Sequence, residues 1–235
     1  MKKILSAALA LSVMTGLLAF SASADTPALV SAEDIAVMSV EQIAYLDVET
    51  AAPAVQDAIL EARSEIIYGD QAWTVNGAVS IIDSDGSTEK LPEFSELFPG
   101  WDLPERQVTP MDPAHCRSAN SSDWPILANL SLKLASATTA SQKFASFSGD
   151  GDPIYVYAVT TPRDGARFNI GFTDDNGNDK GWVPAVSETQ QVELETSARI
   201  YYHVRASVPD TAYEGAYQLT VTDVKADDLK VVHPA

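Results

Sequence analysis

The sequence predicts a mainly β protein with a small α-helical N-terminal region, in which the strands form an antiparallel, jelly-roll-like β-sandwich. Three observations lead to this fold class. Short segments rich in β-branched and aromatic residues follow one another over 124–224, several alternate apolar with polar side chains, and Gly, Asp, Asn and Pro separate them. No helical pattern interrupts this stretch, which argues against a parallel α/β sheet.

Residues 1–24 have the composition of a signal peptide. Lys2 and Lys3 give a basic start, an apolar stretch runs over 4–20, and Ala22-Ser23-Ala24 supplies small residues for cleavage. A membrane anchor is the alternative, but Ser, Thr and Gly break the apolar run, which is short for a spanning helix. We therefore expect a bacterial exported protein, periplasmic or secreted, without a transmembrane segment after cleavage.

The chain is strongly acidic. After cleavage 33 acidic and 13 basic residues remain, a net charge of −20. Residues 25–115 carry −15 of it and residues 116–235 carry −5. Nucleic acid is excluded as a partner, because phosphate binding needs clustered Lys and Arg. The acidity favours solubility in an extracellular medium, and cation binding or a cationic partner is the alternative.

Residues 25–115 are predicted to form a helical and hairpin region with a Pro-rich loop. The stretch SAEDIAVM-SVEQIAYL is an eight-residue echo whose Ser-x-x-Asp and Ser-x-x-Gln spacings predict two short helices, beginning at Ser31 and Ser39. A longer helix is predicted over 51–67 from apolar residues at helical spacing. Residues 116–235 are predicted to form the β-sandwich domain.

Two Gly-containing turns and a loop follow the helices. Asn76-Gly77 and Asp85-Gly86 favour tight hairpin turns, because these dipeptides accept positive φ. The segment 92–113 holds five prolines, so we expect it to lack regular structure. Its aromatic residues predict that it packs onto the protein.

Eight strands are predicted in the sandwich domain from alternation and turn signals. Their sequences are ILANLSLKLA, KFASFSG, PIYVYAVT, ARFNIGFT, GWVPAV, QVELET, RIYYHVRAS and YQLTVTD.

Three stretches within 141–223 carry a family resemblance. They are SQKFASFSGDGDPIYVYAV, with an acidic turn between two strands, RIYYHVRAS, and the closing strand GAYQLTVTD. Together they resemble the bacterial pre-peptidase C-terminal domain. The resemblance implies a secreted β-sandwich module that accompanies a hydrolase domain, with calcium binding in some relatives. Here helix, hairpin and loop residues precede the module instead of a catalytic domain.

The segment TDDNGNDKGW raises the question of a calcium site. Asp174, Asn176 and Asn178 occupy positions 1, 3 and 5 of a calcium-loop pattern, but position 6 is Asp179 and position 12 is Ala185. An EF-hand loop needs Gly and Glu at those two positions and is therefore excluded. A hairpin turn at Asn-Gly is the favoured interpretation.

A calcium site built from two loops stays open as the alternative. Asp150 and Asp152 lie in another acidic turn, and they would join the ligands of the TDDNGNDKGW segment if both loops lie at one end of the sandwich. Such extracellular sites are weak, with dissociation constants of about 10⁻⁴ to 10⁻³ M. Ca²⁺ is thus the candidate cofactor.

The sequence offers little for catalysis. Cys116 is the only cysteine, so an internal disulfide is excluded. It follows His115, and adjacent residues on a strand point to opposite faces, which argues against a catalytic pair. His203 and His233 are the other histidines. No nucleophile elbow, zinc-protease motif or phosphate-binding loop is present.

An aromatic binding surface is a further hypothesis. Its candidate residues are Trp73, Trp101, Trp124, Trp182, Tyr155, Tyr157, Tyr201 and Tyr202, part of which we expect in the core. The leading prediction is a non-enzymatic exported binding or accessory protein that contacts a polysaccharide or a protein, with calcium assistance. The alternatives are a secreted hydrolase with dispersed Asp, Glu and His residues, and a structural envelope protein without a small ligand.

Overall fold

Two six-stranded sheets face each other in the computed structural model, which describes residues 30–104, 117–118, 126–136 and 142–223. The strands are β1 (Trp73–Thr74), β2 (Val79–Ile82), β3 (Thr88–Lys90), β4 (Arg117–Ser118), β5 (Ile126–Leu134), β6 (Gln142–Ser148), β7 (Ile154–Thr160), β8 (Arg167–Asp174), β9 (Asp179–Ser187), β10 (Gln191–Leu194), β11 (Tyr201–Ser207) and β12 (Gly215–Thr222).

The strand order is β1–β9–β8–β11–β6–β4 in the first sheet and β3–β2–β10–β7–β12–β5 in the second. The paired strands are antiparallel, apart from the two-residue β4, which runs parallel to β6. The predicted fold class, a mainly β protein with an antiparallel β-sandwich, is confirmed.

All eight strands predicted in the sandwich are present, as β5 to β12. Their alternation sets the inner faces of the two sheets. Phe168, Ile170 and Phe172 of β8 are fully buried against the other sheet, which contributes Leu219 and Val221 of β12 to the same core. Burial of such side chains stabilises the sandwich by about 1.5–3 kcal/mol each.

Four helices lie in the N-terminal part: α1 (Ala32–Ile35), α2 (Val40–Ala44), α3 (Pro53–Ile67) and α4 (Phe94–Leu97). The first two begin with the predicted capping boxes. The Ser31 amide donates to Asp34 Oδ2 at 2.8 Å, and the Ser39 amide donates to Gln42 Oε1 at 2.8 Å. α1 and α2 both pack against α3. The three predicted helices are therefore confirmed.

A second apolar cluster joins α2, α3 and α4 to the outer face of the first sheet. Trp182 of β9 lies in this cluster, whereas the next residue, Val183, points into the sandwich core. The Trp182 indole N–H donates to the carbonyl of Gly69 at 3.0 Å, and the Trp73 indole N–H donates to that of Ile67 at 2.7 Å. The end of α3 is thereby fixed to both indoles.

The turn at Asn76-Gly77 differs from the prediction. Both residues have positive φ, 56° and 64°, but the turn connects β1 of the first sheet to β2 of the second and does not form a hairpin. The Glu93 carboxylate accepts hydrogen bonds from the backbone amides of Asn76, at 2.9 Å, and Gly77, at 2.6 Å. The predicted N-terminal region, residues 25–115, therefore contributes strands to both sheets: β1 to the first, and β2 and β3 to the second. The hairpin predicted at Asp85-Gly86 is confirmed by the pairing of β2 with β3.

The Pro-rich segment is only partly irregular. The prediction of no regular structure was wrong at α4, where four residues between two prolines complete one helical turn. Phe94, Phe98 and Trp101 are buried, which confirms that the segment packs onto the protein. Residues 105–113 of the segment lie outside the described residues, as do His115, Cys116 and His233.

Candidate functional site

The TDDNGNDKGW segment forms the hairpin turn between β8 and β9. The amide of Gly177 donates to the carbonyl of Asp174 at 3.1 Å, and the Asp174 amide donates to the carbonyl of Asn178 at 2.9 Å. Gly177 has a φ of 88°, as in a three-residue hairpin loop that ends with glycine in the left-handed region. The favoured interpretation, a tight turn, is confirmed.

The Asp174 carboxylate is the centre of this turn. Its Oδ1 accepts the amides of Asn176 and Asn178, each at 2.9 Å, and Lys180 Nζ lies 2.9 Å from its Oδ2. Burial acts to raise the pKa of Asp174, but the hydrogen bonds from Asn178 and Lys180 outweigh it and hold the pKa below its usual value. An ammonium group from the same strand pair therefore already neutralises this carboxylate.

The Asp179 carboxylate points to the opposite face of the hairpin. Asp179 is paired with Thr173, one residue before Asp174, and successive strand residues face opposite sides. Its Oδ1 accepts the Thr173 hydroxyl at 2.9 Å, and its Oδ2 accepts the Tyr68 hydroxyl. Asp174 and Asp179 thus serve separate networks, and Asp179 connects the hairpin to the end of α3.

The second predicted acidic turn does lie at the same end of the first sheet. The amide of Gly149, which precedes it, donates to the Ile200 carbonyl at 2.7 Å, and the amide of Asp175 donates to the Tyr201 carbonyl at 3.0 Å. Both acidic turns therefore border the start of β11. In the second turn Asp150 Oδ1 accepts the Asp152 amide at 3.0 Å.

These two turns contain the six predicted calcium ligands. Within the described residues, no group of three His, Cys, Asp or Glu side chains is arranged to hold a metal ion. Calcium binding by Asp150, Asp152, Asp174, Asn176, Asn178 and Asp179 stays a prediction.

Most of the candidate aromatic side chains are not exposed. Buried members are Trp73, Trp101, Trp182, Tyr155, Tyr157 and Tyr202. The Tyr201 side chain is half-buried, and Trp124 lies outside the described residues. The hypothesis of a flat aromatic binding surface was wrong for these six side chains, because all six are buried and four of them lie in the two apolar clusters.

A row of polar side chains crosses the outer face of the first sheet. Ser146 of β6 faces His203 of β11, and Thr173 of β8 faces the same histidine from the other side. The Ser146 Oγ and His203 Nδ1 atoms lie 2.8 Å apart, and the row continues through Thr173 to Asp179 and Tyr68. His203 is fully buried, whereas Ser146 is half-buried.

Exposed apolar side chains mark another surface, on α1, α2, α3 and their connections. In the part of the chain that the structure describes, the exposed large apolar side chains are Val37, Val40, Tyr45 and Leu60. The same stretch exposes the carboxylates of Glu33, Asp34, Glu41, Asp47, Glu49, Asp57, Glu61 and Glu65. We call the surface of residues 31–67, with these twelve exposed side chains, the helical face.

The eight-residue echo contains the signal for this surface. Ile35 and Ile43 occupy its fifth position and are buried, whereas Val37 and Tyr45 occupy its seventh position and are 85% and 90% exposed. The echo predicted the helix starts at Ser31 and Ser39, but the exposed surface was not predicted from it. Val37 and Tyr45 lie just beyond the ends of α1 and α2, two places after a buried Ile. Residues at that spacing do not share one face of a helix, so the echo itself indicated that its seventh position is exposed.

A cavity of about 550 Å³ opens beside the helical face. Val48, Leu60 and Leu103 contribute apolar walls, and Glu49 and Asp102 contribute carboxylates. The volume lies within the range of about 300–1,000 Å³ that is typical of ligand pockets. It is large enough to receive a side chain of a partner.

Arg63 of α3 organises this region. Its guanidinium donates to the carbonyl of Leu46 at 2.9 Å and to that of Ile43 at 3.5 Å, and its Cζ lies 5.0 Å from the Trp101 ring centroid. Burial lowers the pKa of Arg63, and the charge of Asp102 opposes this effect. The arginine fastens the end of α2, and with it Tyr45, to α3.

Comparisons with protein-family models, with curated proteins and with solved structures found no match for this chain. The resemblance to the pre-peptidase C-terminal domain therefore stays a prediction. None of the helices within the described residues is long and apolar enough to cross a membrane. The class that the fold and the site define is a β-sandwich protein with a helical layer on one sheet.

Proposed function

We propose that this chain is an exported, non-enzymatic binding protein that contacts a protein partner through the helical face. The observation that carries the proposal is the position of the exposed large apolar side chains, which among the described residues all lie on α1 to α3 and their connections. Val37, Val40 and Tyr45 fall within nine consecutive residues, and Leu60 borders the adjacent cavity. Exposed apolar side chains rimmed by polar residues are typical of protein interaction sites. The adjacent cavity supports the proposal, since it offers a place for an anchoring side chain.

A protein partner is favoured over a polysaccharide. Sugar binding by stacking would need several exposed aromatic rings. Six of the eight candidate rings are buried, and Tyr45 is the one aromatic ring among the exposed large apolar side chains of the described residues. Export rests on the basic and apolar start of the chain, residues 1–24. Calcium assistance is left out of the proposal, because Lys180 already pairs with Asp174 at 2.9 Å and the Thr173 hydroxyl donates to Asp179 at 2.9 Å.

Site-specific photo-cross-linking tests the proposal. A benzophenone side chain replaces Tyr45 in one variant and Leu60 in another, and the cells that export the protein are irradiated. We expect both variants to form a cross-linked product with another protein, because these positions lie within the proposed contact. The product is measured by its mass on a denaturing gel and identified by peptide sequencing.

Matched control variants carry the same probe at exposed positions of the sandwich. Lys90 on β3 and Asp164 between β7 and β8 are exposed and lie outside the helical face. Cross-links at Tyr45 and Leu60 but not at these two positions support the proposal. Equal products at all four positions, or none at any, contradict it.

A hydrolase is the second candidate, and one observation favours it. The Ser146 Oγ lies within hydrogen-bond distance of His203 Nδ1, at 2.8 Å, which is the contact between a nucleophile and its base. A fluorophosphonate probe that labels activated serines tests this candidate. Labelling of the protein that is lost in Ser146→Ala would favour a hydrolase over a binding protein, whereas no labelling would leave Ser146 and His203 as a structural pair.

A further inference from the structure

The charge of the helical face indicates the chemistry of its partner. Residues 31–67, which the structure describes throughout, hold eight acidic side chains, all exposed, and one basic side chain, Arg63, which is half-buried. Exposed apolar side chains lie among these carboxylates at Val37, Val40, Tyr45 and Leu60. The face therefore combines apolar contacts with one sign of charge.

The acidic residues of α3 do not stabilise the helix on which they lie. Asp57, Glu61 and Glu65 repeat every four residues on its exposed side, and each such pair of like charges costs about 0.2–0.5 kcal/mol. Leu60 lies beside this row and at the edge of the cavity. A row of carboxylates next to an apolar side chain matches a binding helix that carries basic residues beside an apolar stripe.

We propose that the helical face binds a cationic amphipathic helix of the partner protein. Apolar side chains of that helix contact Tyr45 and Leu60, and one of them enters the cavity, while its Lys or Arg residues pair with Glu61 and Glu65. This inference rests on the proposed function, because it names the chemistry of the partner at the same surface. Two copies of this chain would bring like charges together, and an anionic membrane would be repelled for the same reason.

A synthetic peptide is the probe. It is an 18-residue helix of Leu and Lys with Leu at helical spacing, labelled with fluorescein, and its binding to the purified protein is measured by fluorescence anisotropy. Two further peptides serve as controls: one has the same composition in an order without an amphipathic face, and one has Glu in place of Lys. We expect the first peptide to bind at least tenfold more tightly than either control, and salt to weaken it.

Charge reversal locates the binding site on the protein. Glu61→Lys with Glu65→Lys changes two exposed side chains of α3, and we expect at least a tenfold loss of peptide affinity. Glu89→Lys with Asp164→Lys is the matched control, since it changes the net charge equally at exposed positions of the sandwich. We expect less than a twofold change in that control. Circular dichroism confirms that both variants fold.

The outcomes separate this inference from the proposed function. Equal loss of affinity in both double variants would mean non-specific charge attraction and would overturn the inference. If the peptide does not bind but Tyr45 and Leu60 cross-link to another protein, the inference of a cationic helix is overturned. The proposed function, binding of a protein partner, is then retained. Cross-links between two copies of this chain would replace the partner by self-association. Absence of both peptide binding and cross-links would overturn both.

Discussion

Asp174 shows how one buried carboxylate holds a hairpin turn together. Its contacts with two backbone amides and with Lys180 favour the charged form, so the pKa of Asp174 in the folded protein lies below its usual value of 3.8. A carboxyl group whose pKa falls on folding adds stability at every pH above its unfolded pKa. That contribution is lost as the pH falls through the folded pKa.

Replacement of Asp174 by Asn tests this linkage. We expect Asp174→Asn to lower the free energy of unfolding by about 1–3 kcal/mol at pH 7, because a charge-assisted hydrogen bond and the Lys180 pair are lost. The difference from the wild type should stay constant down to about pH 5 and shrink below it. Urea unfolding followed by tryptophan fluorescence measures it. Asp164→Asn, at an exposed position, is the control. If the difference in unfolding free energy between Asp174→Asn and the wild type did not change with pH, the linkage to the Asp174 pKa would be contradicted.

The Tyr68 hydroxyl stabilises a second carboxylate of the hairpin, that of Asp179, which lies 111 positions away in the sequence. Tyr68→Phe removes one donor to Asp179, which is buried, and we expect a loss of about 1–3 kcal/mol in the free energy of unfolding. Urea unfolding at pH 7 measures the loss. Tyr201→Phe, on a half-buried ring of β11, serves as the control. Equal stability of the two variants would show that the Tyr68 contact adds nothing to stability.

These two carboxylates also show what the sequence could reveal. The turn around Asp174 was predictable because its partners, Asn176 to Lys180, are neighbours in the chain. The contact of Asp179 with Tyr68 spans 111 positions and the contact of Ser146 with His203 spans 57, and neither leaves a local pattern. Such contacts depend on strand order, which alternation of apolar residues does not determine.

Among the elements, those governed by local signals were predicted best. The capping boxes at Ser31 and Ser39 formed as expected, because a serine and the side chain three residues on satisfy each other's backbone groups. The turn at Asn76-Gly77 also had the expected positive φ. Its role as a crossing between the sheets could not be predicted, since it depends on Trp73 pairing with β9 and Val79 pairing with β10.

The attachment of α2 depends on Arg63. We expect Arg63→Met, which keeps an apolar stem but removes the bonds to the carbonyls of Ile43 and Leu46, to speed hydrogen exchange of the α2 amides at least tenfold. Amides of β8 and β11 should exchange at unchanged rates, because they lie within the sandwich. Mass spectrometry of peptides from each element measures this. Lys90→Met is the control, and equal acceleration in all elements would indicate general destabilisation instead.

At the scale of the whole molecule, the net charge of the full sequence is −18, which makes self-repulsion a property of the folded state. Any added cation reduces this repulsion by screening, so a rise in melting temperature with calcium alone is no proof of a site. A specific site must give more stabilisation than an equal concentration of another divalent ion. Because Lys180 Nζ lies 2.9 Å from Asp174 Oδ2, a calcium ion at this turn would have to compete with the ammonium group.

Thermal unfolding with millimolar CaCl₂, with MgCl₂ at equal ionic strength and then with EDTA is the decisive measurement. We expect calcium and magnesium to raise the melting temperature equally, because Lys180 already neutralises Asp174 while Thr173 and Tyr68 occupy Asp179. Asp174→Asn should not change the difference between the two ions. A calcium-specific rise that EDTA reverses and that Asp174→Asn abolishes would contradict this expectation, since the ion would then have to displace the Lys180 ammonium from the turn.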